Sequence, residues 1–263
     1  MTIRRIEGPA GELHVDDGGN GGVPVVFVHS FAGSSAHWAA QLAHLRGSRR
    51  AVALDLRGHG ASAPPPDGDY AVTSLAADVA AVANALDLPR VEMVGHSIGA
   101  SAAIAYAGTH PERVSGLLLV GAPGRTPAEQ AQQILRAMKA DYTKVTQEYW
   151  SKLLAGAETR VRAQITAEMN SLSKDAALAI IEGAFAYDPV PDLERFAGPT
   201  LSVMTAHGEG PNDLQHALPH LPHRRIEGTS HWPHMDRPNE FNDLLDEFLA
   251  RTSDVDSVAT DRR

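Results

Sequence analysis

Ser97 stands in Gly95-His96-Ser97-Ile98-Gly99, a Gly-x-Ser-x-Gly pentapeptide between the apolar run VEMV and the small-residue stretch ASAAIAYAG. At a strand-to-helix corner, flanking glycines let a serine take a sharp, strained turn, because no neighbouring side chain collides with the strand or the helix. The hydroxyl then projects from the carboxyl edge of a sheet, where it can attack a carbonyl carbon. A serine hydroxyl is a weak nucleophile and needs a base within hydrogen-bond reach. His231, in GTSHWPH after the last strand-like run, falls at the same edge and follows the serine in the chain, as this arrangement requires. His29, His96 and His207 also end strand-like runs, and His234 lies three residues on. Chain order and last-strand placement select His231 from the 13 histidines. A tetrahedral oxyanion needs N–H donors. The loop HSFAGS, 29–34, can aim the Phe31 N–H at it, and Ile98, just after the serine, supplies a second. The same loop also reads as an ordinary glycine-containing turn with a helix starting at Ser34 or Ser35.

Positioning these groups requires a sheet whose strands end together. Four continuously apolar runs, 25–29, 51–56, 91–95 and 116–121, alternate with helix-like stretches, the signature of βαβ units and a mainly parallel sheet buried on both faces. The earlier piece ELHVDD alternates and reads as an exposed edge strand. Residues 74–88 read as a crossover helix with Ser74 as N-cap and Asp78 in the first turn. From about 126 to 186 there are only amphipathic helical segments, separated at Asp141, Gly156 and Ser173. Strand-like text resumes at 199–204 and 223–228, and NEFNDLLDEFLAR forms a final helix. The expected architecture is α/β, with a core of 1–123 and 191–250, a helical cap of 124–190 and a flexible tail of 251–263.

Composition narrows the chemistry. With 263 residues, 43% of them hydrophobic, the chain can bury a large core. It has no cysteine, which removes thiolate nucleophiles, disulfides and cysteine-rich zinc sites. Lys+Arg 23 against Asp+Glu 32 gives a net charge of -9, so nucleic acid is not an expected partner. No apolar run reaches the ~18 residues of a bilayer span, and no secretory leader is read, so no membrane is expected and the expected address is the cytoplasm. There is no GxGxxG and no P-loop, and no cofactor is expected. His216, His220 and His223 include an i,i+4 pair of metal-binding spacing. Pro219 interrupts that stretch and a surface cluster is the better reading. Tyr142, Trp150, Phe185 and Tyr187 either pack the cap or line a pocket beneath it.

VFVHSFAGSSAHW, ALDLRGHGAS, VGHSIGASAAIAYAGTHPERV and GTSHWPHMDRPNEFNDLLDEFL resemble, in order, segments of the α/β-hydrolase superfamily, in its group of small esterase-like proteins with a helical cap. The resemblance runs from about residue 12 to 250. It implies Ser97 as nucleophile, His231 as general base, and the N–H groups of Phe31 and Ile98 as oxyanion hole. Asp55, Arg57 and His59 are then scaffold. Two departures stand out. Ser30 occupies a position where relatives have glycine. The acid that orients the histidine has no candidate after the strand before the cap, where Gly121, Ala122 and Pro123 follow. After the next strand the candidates are Glu209 first and Asp213 second; without either, Ser97 and His231 would act as a dyad. The implied activity is that of a carboxylesterase-like serine hydrolase working on a small-molecule ester through an acyl-enzyme. Alternatives on the same fold are carbon–carbon bond hydrolysis, lactone opening, acyl transfer, perhydrolysis, or a ligand-binding sensor with a degenerate triad.

Overall fold

The computed structural model describes residues 2–169, 171–205 and 210–260, with side chains as far as Thr252. Its strands are β1 (Thr2–Gly8), β2 (Gly11–Gly18), β3 (Val25–Val28), β4 (Ala51–Leu54), β5 (Val91–His96), β6 (Val114–Val120), β7 (Thr200–Met204) and β8 (His223–Arg225). They form one sheet in the order β1-β2-β4-β3-β5-β6-β7-β8. The pairings of β2 with β1 and with β4 are antiparallel, and every pairing from β4 to β8 is parallel.

β3 to β6 are buried at every position, because helices cover both faces. Their side chains alternate between two cores. Val26, Val28, Val52, Leu54, Met93, Leu117 and Leu119 pack beneath α2 (Val72–Ala85) and α3 (Ile98–Thr109). Val25, Phe27, Ala51, Ala53, Val94, Leu118 and Val120 face α1 (Ala39–Leu45) and the long C-terminal helix (Pro238–Thr260). α3 is nearly all small residues and buried from Ile98 to Gly108, so its backbone lies close to the sheet, where Ser97 must be held.

Three expectations need correction. ELHVDD lies inside β2, which is not an edge: a hairpin partner, β1, pairs with it and forms the edge, with Ile3, Arg4 and Arg5 exposed. The crossover helix starts at Val72, not after a Ser74 cap. Ser74 instead donates its hydroxyl to Asp69 Oδ2 at 2.5 Å, and Asp69 also accepts from Ala71 N, so the carboxylate organises the turn from outside. The final helix continues through Thr260, across polar residues read as a tail from 251.

Between β6 and β7 lie α4 (Ala128–Ala140), α5 (Tyr142–Leu153), α6 (Thr159–Met169), α7 (Lys174–Phe185) and α8 (Val190–Arg195). The expected separators do this work. Asp141 accepts from Lys144 N and Ser173 from Ala176 N as caps, and Gly156 turns with φ +82. Past β7 come α9 (Leu214–Ala217) and α10 (Pro233–Asp236); the Pro238–Thr260 helix is α11. Because α9 ends at Ala217, His216 and His220 share no helical face. No helix among the described residues is long and apolar enough to cross a membrane.

Candidate active site

At the end of β5 the chain reverses into α3 through Ser97, whose backbone sits at φ 54, ψ -118. A residue with a side chain adopts such values at a cost of about 1–3 kcal/mol, and the surroundings must over-determine them. They do so here. Ser97 N donates to Val120 O at 2.8 Å, and Ser97 O accepts from Ala100 N and Ser101 N. A Cβ at Gly95 would meet Gly99 O at 2.5 Å, and one at Gly99 would meet His29 O at 2.3 Å and Val28 O at 2.5 Å. Both glycines of the motif are therefore required by backbone contacts, and Gly99 also lets the end of β3 lie against the elbow.

The loop 29–34, expected to carry an oxyanion donor, follows β3 directly. Gly33 N donates to Ser30 O, closing a four-residue turn with Phe31 and Ala32 at its centre, and Ala32 takes φ 55. Ser30, the departure from the family pattern, is buried and does not occupy a positive φ, so serine fits without strain. His29 locks the loop from below: its Nε2 accepts from Leu56 N at 2.9 Å, so Nδ1 carries the proton and donates to Ser30 O at 2.7 Å. Burial, aided by neighbouring His59, pushes its pKa down to about 3. With both ring nitrogens engaged, His29 is scaffold. Ile98 begins α3, so its N–H is one of those for which a helix has no internal acceptor. Downstream, a short 3-10 helix, Ser35–Trp38, leads into α1, where the alternative turn reading placed a helix start.

His231 lies in the loop between β8 and α10 and is 8% exposed. Its ring stands 4.7 Å, centroid to centroid, from that of His96, the neighbour of Ser97. The Cα of Gly121, one residue past the Val120 carbonyl that binds Ser97, lies against the same ring. Its loop is tied down on several sides. Asp236 Oδ2 accepts from both the N–H and the hydroxyl of Ser230, while Oδ1 accepts from Glu158 N of the inserted helical segment. His231 N itself donates to Leu153 O at the end of α5. The rival histidines behave differently. His96 and His234 are fully buried, and burial together with nearby imidazoles holds both well below the ordinary histidine pKa. His234 stacks on Trp38 at 4.1 Å. Both therefore stay neutral packing groups. His207 lies outside the described residues.

An aromatic stack roofs this corner: Phe31 on Trp150 at 5.6 Å and Trp150 on Trp232 at 6.0 Å, nearly parallel in both cases. Trp150 is buried with Leu153, Val161, Ile165 and Met235, so the residue joins the inserted helices to the core. Tyr187 is spent on a hydrogen bond to Asp192. Asp55 accepts from Ser35 N and Ala61 N and so ties the residue after loop 29–34 to the turn at Ala61.

Of the acid candidates, Glu209 lies outside the described residues. Asp213 Oδ2 accepts from Gly210 N at 2.5 Å, and its backbone forms a bridge with Pro123. Gly121 explains why no acid follows β6. Its φ is +52, and a Cβ there would lie 2.8 Å from His231 Cε1 and 3.2 Å from Nδ1. Any side chain must displace the imidazole. Gly121→Ala and Gly121→Asp should both lower kcat by ~10²-fold, the usual cost of a ring displaced by about 1 Å, with the aspartate giving no rescue. Steady-state kinetics on the two variants checks this. Thr205 and Asp236, not singled out from sequence, both touch the histidine or its loop. The available signals were Thr205's place directly after β7 and Asp236's five-residue spacing from His231.

The eight-stranded, mainly parallel sheet, with a strained serine at the β5–α3 corner and a histidine on the loop after β8, is the arrangement of the α/β-hydrolase fold. Residues 23–176, more than half of the chain, match the model of the α/β hydrolase fold family, and the protein belongs to that family. It is 29% identical over 257 residues to a putative 2-succinyl-6-hydroxy-2,4-cyclohexadiene-1-carboxylate synthase of Bacillus subtilis, covering 89% of this chain and 93% of that one. It is 37% identical over 118 residues to the dihydrolipoyllysine-residue acetyltransferase component of an acetoin cleaving system from Pseudomonas putida. That match covers 44% of this chain and 31% of that protein, so the chain spans under a third of this relative. A solved structure described as an N-acyl homoserine lactone degrading enzyme superposes with TM-score 0.79 at 26% identity, covering 93% of this chain and all of that one.

Proposed function

We propose that the protein is a serine hydrolase that cleaves small-molecule carboxylic esters through an acyl-enzyme on Ser97. The observation that carries this reading is the backbone of Ser97, held at φ 54, ψ -118, with the His231 ring 4.7 Å from that of the adjacent His96, since such strain persists where it aims a side chain for function. His231 takes the hydroxyl proton as Ser97 Oγ bonds to the carbonyl carbon. The N–H groups of Phe31 and Ile98 receive the negative charge on the carbonyl oxygen. The tetrahedral adduct collapses, the alcohol leaves with the proton from His231, and a water deprotonated by the same ring releases the carboxylic acid. The inserted helices, with Trp150 against Phe31, choose among acyl groups. The lactone-degrading relative supports including cyclic esters in the substrate class.

The test is a fluorophosphonate, which reacts with activated serines. The folded wild type should acquire one adduct, mapped by mass spectrometry to the peptide containing Ser97. A folded protein that stays unlabelled would overturn the reading in favour of a ligand-binding role.

A further inference from the structure

On one flank of the His231 ring, its Nδ1 lies 3.1 Å from Thr205 Oγ1. Thr205 is 1% exposed and follows β7 directly. Gly121 N donates to Val203 O, so the ends of β6 and β7 run together and deliver Gly121 and Thr205 to the same side of the imidazole. The threonine methyl faces Gly121, since a Cβ at 121 would meet Thr205 Cγ2 at 3.1 Å. This orientation leaves the hydroxyl for the ring.

We infer that Thr205 is a positioning residue for the general base: its hydroxyl oxygen accepts the Nδ1–H of His231 and so keeps the Nε2 lone pair available to the serine proton. The assignment rests on the serine-hydrolase reading for its catalytic consequence, while the hydrogen bond is a matter of geometry. A neutral imidazole has one proton to place, and its hydrogen-bond partners decide where. A carboxylate in this position fixes the tautomer and also stabilises the imidazolium; a hydroxyl, which can donate or accept, selects the Nδ1–H tautomer when it accepts, and then offers the imidazolium a weaker, uncharged acceptor. As an acceptor, Thr205 favours the Nδ1–H tautomer alongside any carboxylate that reaches the ring. Among the described residues, the titratable groups near the ring are His96 at 4.7 Å and, behind it, His234, both buried and neutral, with Asp236 turned to Ser230 and Glu158. Among these described neighbours Thr205 is the group whose hydrogen bond to Nδ1 is resolved.

The substitution pair separates hydroxyl from methyl. Thr205→Val keeps the shape and loses the oxygen; Thr205→Ser keeps the oxygen and loses the methyl group. In Thr205→Val, kcat/KM for a p-nitrophenyl ester should fall about tenfold, as for one lost hydrogen bond, and the acid limb of its pH profile should move to lower pH, because the imidazolium loses an acceptor. Thr205→Ser should retain the wild-type rate and limb. Histidine ¹⁵N spectra, with His231 assigned through its absence in His231→Gln, supply a readout free of turnover. Wild type and Thr205→Ser should show the Nδ1–H tautomer, and Thr205→Val a mixture. A wild-type Nε2–H tautomer, a Thr205→Val protein with an unmoved limb and rate, or a serine variant as impaired as the valine one would each overturn the inference. Ser97-dependent turnover unchanged in Thr205→Val sinks this inference alone. An unlabelled wild type whose His231 tautomer still responds to Thr205→Val sinks only the hydrolase reading.

Discussion

Ser97→Ala should reduce p-nitrophenyl ester hydrolysis by ~10⁴-fold or more while leaving the fold intact, and His231→Ala should do nearly the same. The magnitude follows from the division of labour. In the proposed mechanism Ser97 forms the covalent bond, and His231 makes it nucleophilic and later protonates the leaving group, so neither is useful without the other. Residues that act as one unit lose their contribution once. The double variant Ser97→Ala/His231→Ala should thus be no slower than either single one, at a residual rate owed to the N–H donors of Phe31 and Ile98 and to binding. Initial rates on an acetate-to-decanoate series, with circular dichroism to confirm folding, measure this. A Ser97→Ala enzyme with appreciable activity would show that the strained corner serves structure, and multiplying single-variant losses in the double would show that the two residues work apart. Removal of the strained side chain should also leave stability unchanged or slightly higher, since alanine bears the same backbone without a hydroxyl to hold.

The second large effect is on stability and comes from a buried ion pair. Arg57 and Asp78 meet in a bidentate contact, Nε to Oδ2 at 2.8 Å and Nη2 to Oδ1 at 2.7 Å, with side chains 4% and 0% exposed. Burial opposes the guanidinium charge, yet the hydrogen bonds and charge of Asp78 outweigh it and hold the Arg57 pKa above its ordinary value. Asp78→Leu should destabilise the fold by about 3–5 kcal/mol, because it removes the hydrogen-bonded counter-charge of a buried cation and leaves only the more distant, half-exposed Asp69, 3.9 Å away. For a chain of this size that is a Tm lower by about 10 °C. Arg57→Leu/Asp78→Leu should recover part of the loss, since two apolar groups replace two charges. Recovery stops short of wild type because Arg57 also donates to the carbonyls of Asp69 and Ser74, which the double variant leaves unserved. Calorimetry on the three proteins decides it. Additive losses would mean that the pair has no special coupling.

The central strands and the elbow were legible because they rest on local requirements. A continuous apolar run of five residues announces a strand covered on both faces, and two glycines around a serine announce a corner that a Cβ would block. The separators Asp141, Gly156 and Ser173 were legible for the same reason, since each acts through its own backbone or its nearest neighbours. What stayed hidden depends on residues far apart in the chain. β1 escaped notice because TIRRIEG has an apolar residue only at Ile3 and Ile6, and its pairing with β2 is a matter of hairpin closure. The crossover helix was misplaced by two residues because Asp69, outside it, captures the Ser74 hydroxyl that looked like a cap. Thr205 has no motif: its hydroxyl matters only because β6 and β7 end side by side and a loop from beyond β8 returns to the same point. Ser30 looked like a defect from sequence and is accommodated, because what the family glycine position needs here is a compact residue in an ordinary conformation, while the positive φ falls two residues later at Ala32.

The inserted helices hold the histidine loop as well as covering it, through Leu153 O to His231 N, Glu158 N to Asp236, and Arg160 to Met235 O. On the proposed mechanism, substrate selection and proton transfer are therefore not separable modules in this protein. A graft that exchanges the segment 124–190 for that of another family member replaces three of the anchors of the base together with the pocket wall. Rate and selectivity will change together in such chimaeras, and drift in the cap is constrained by the loop it grips. Natural variation that alters the substrate has to run through positions that face the acyl group without touching residues 230–236.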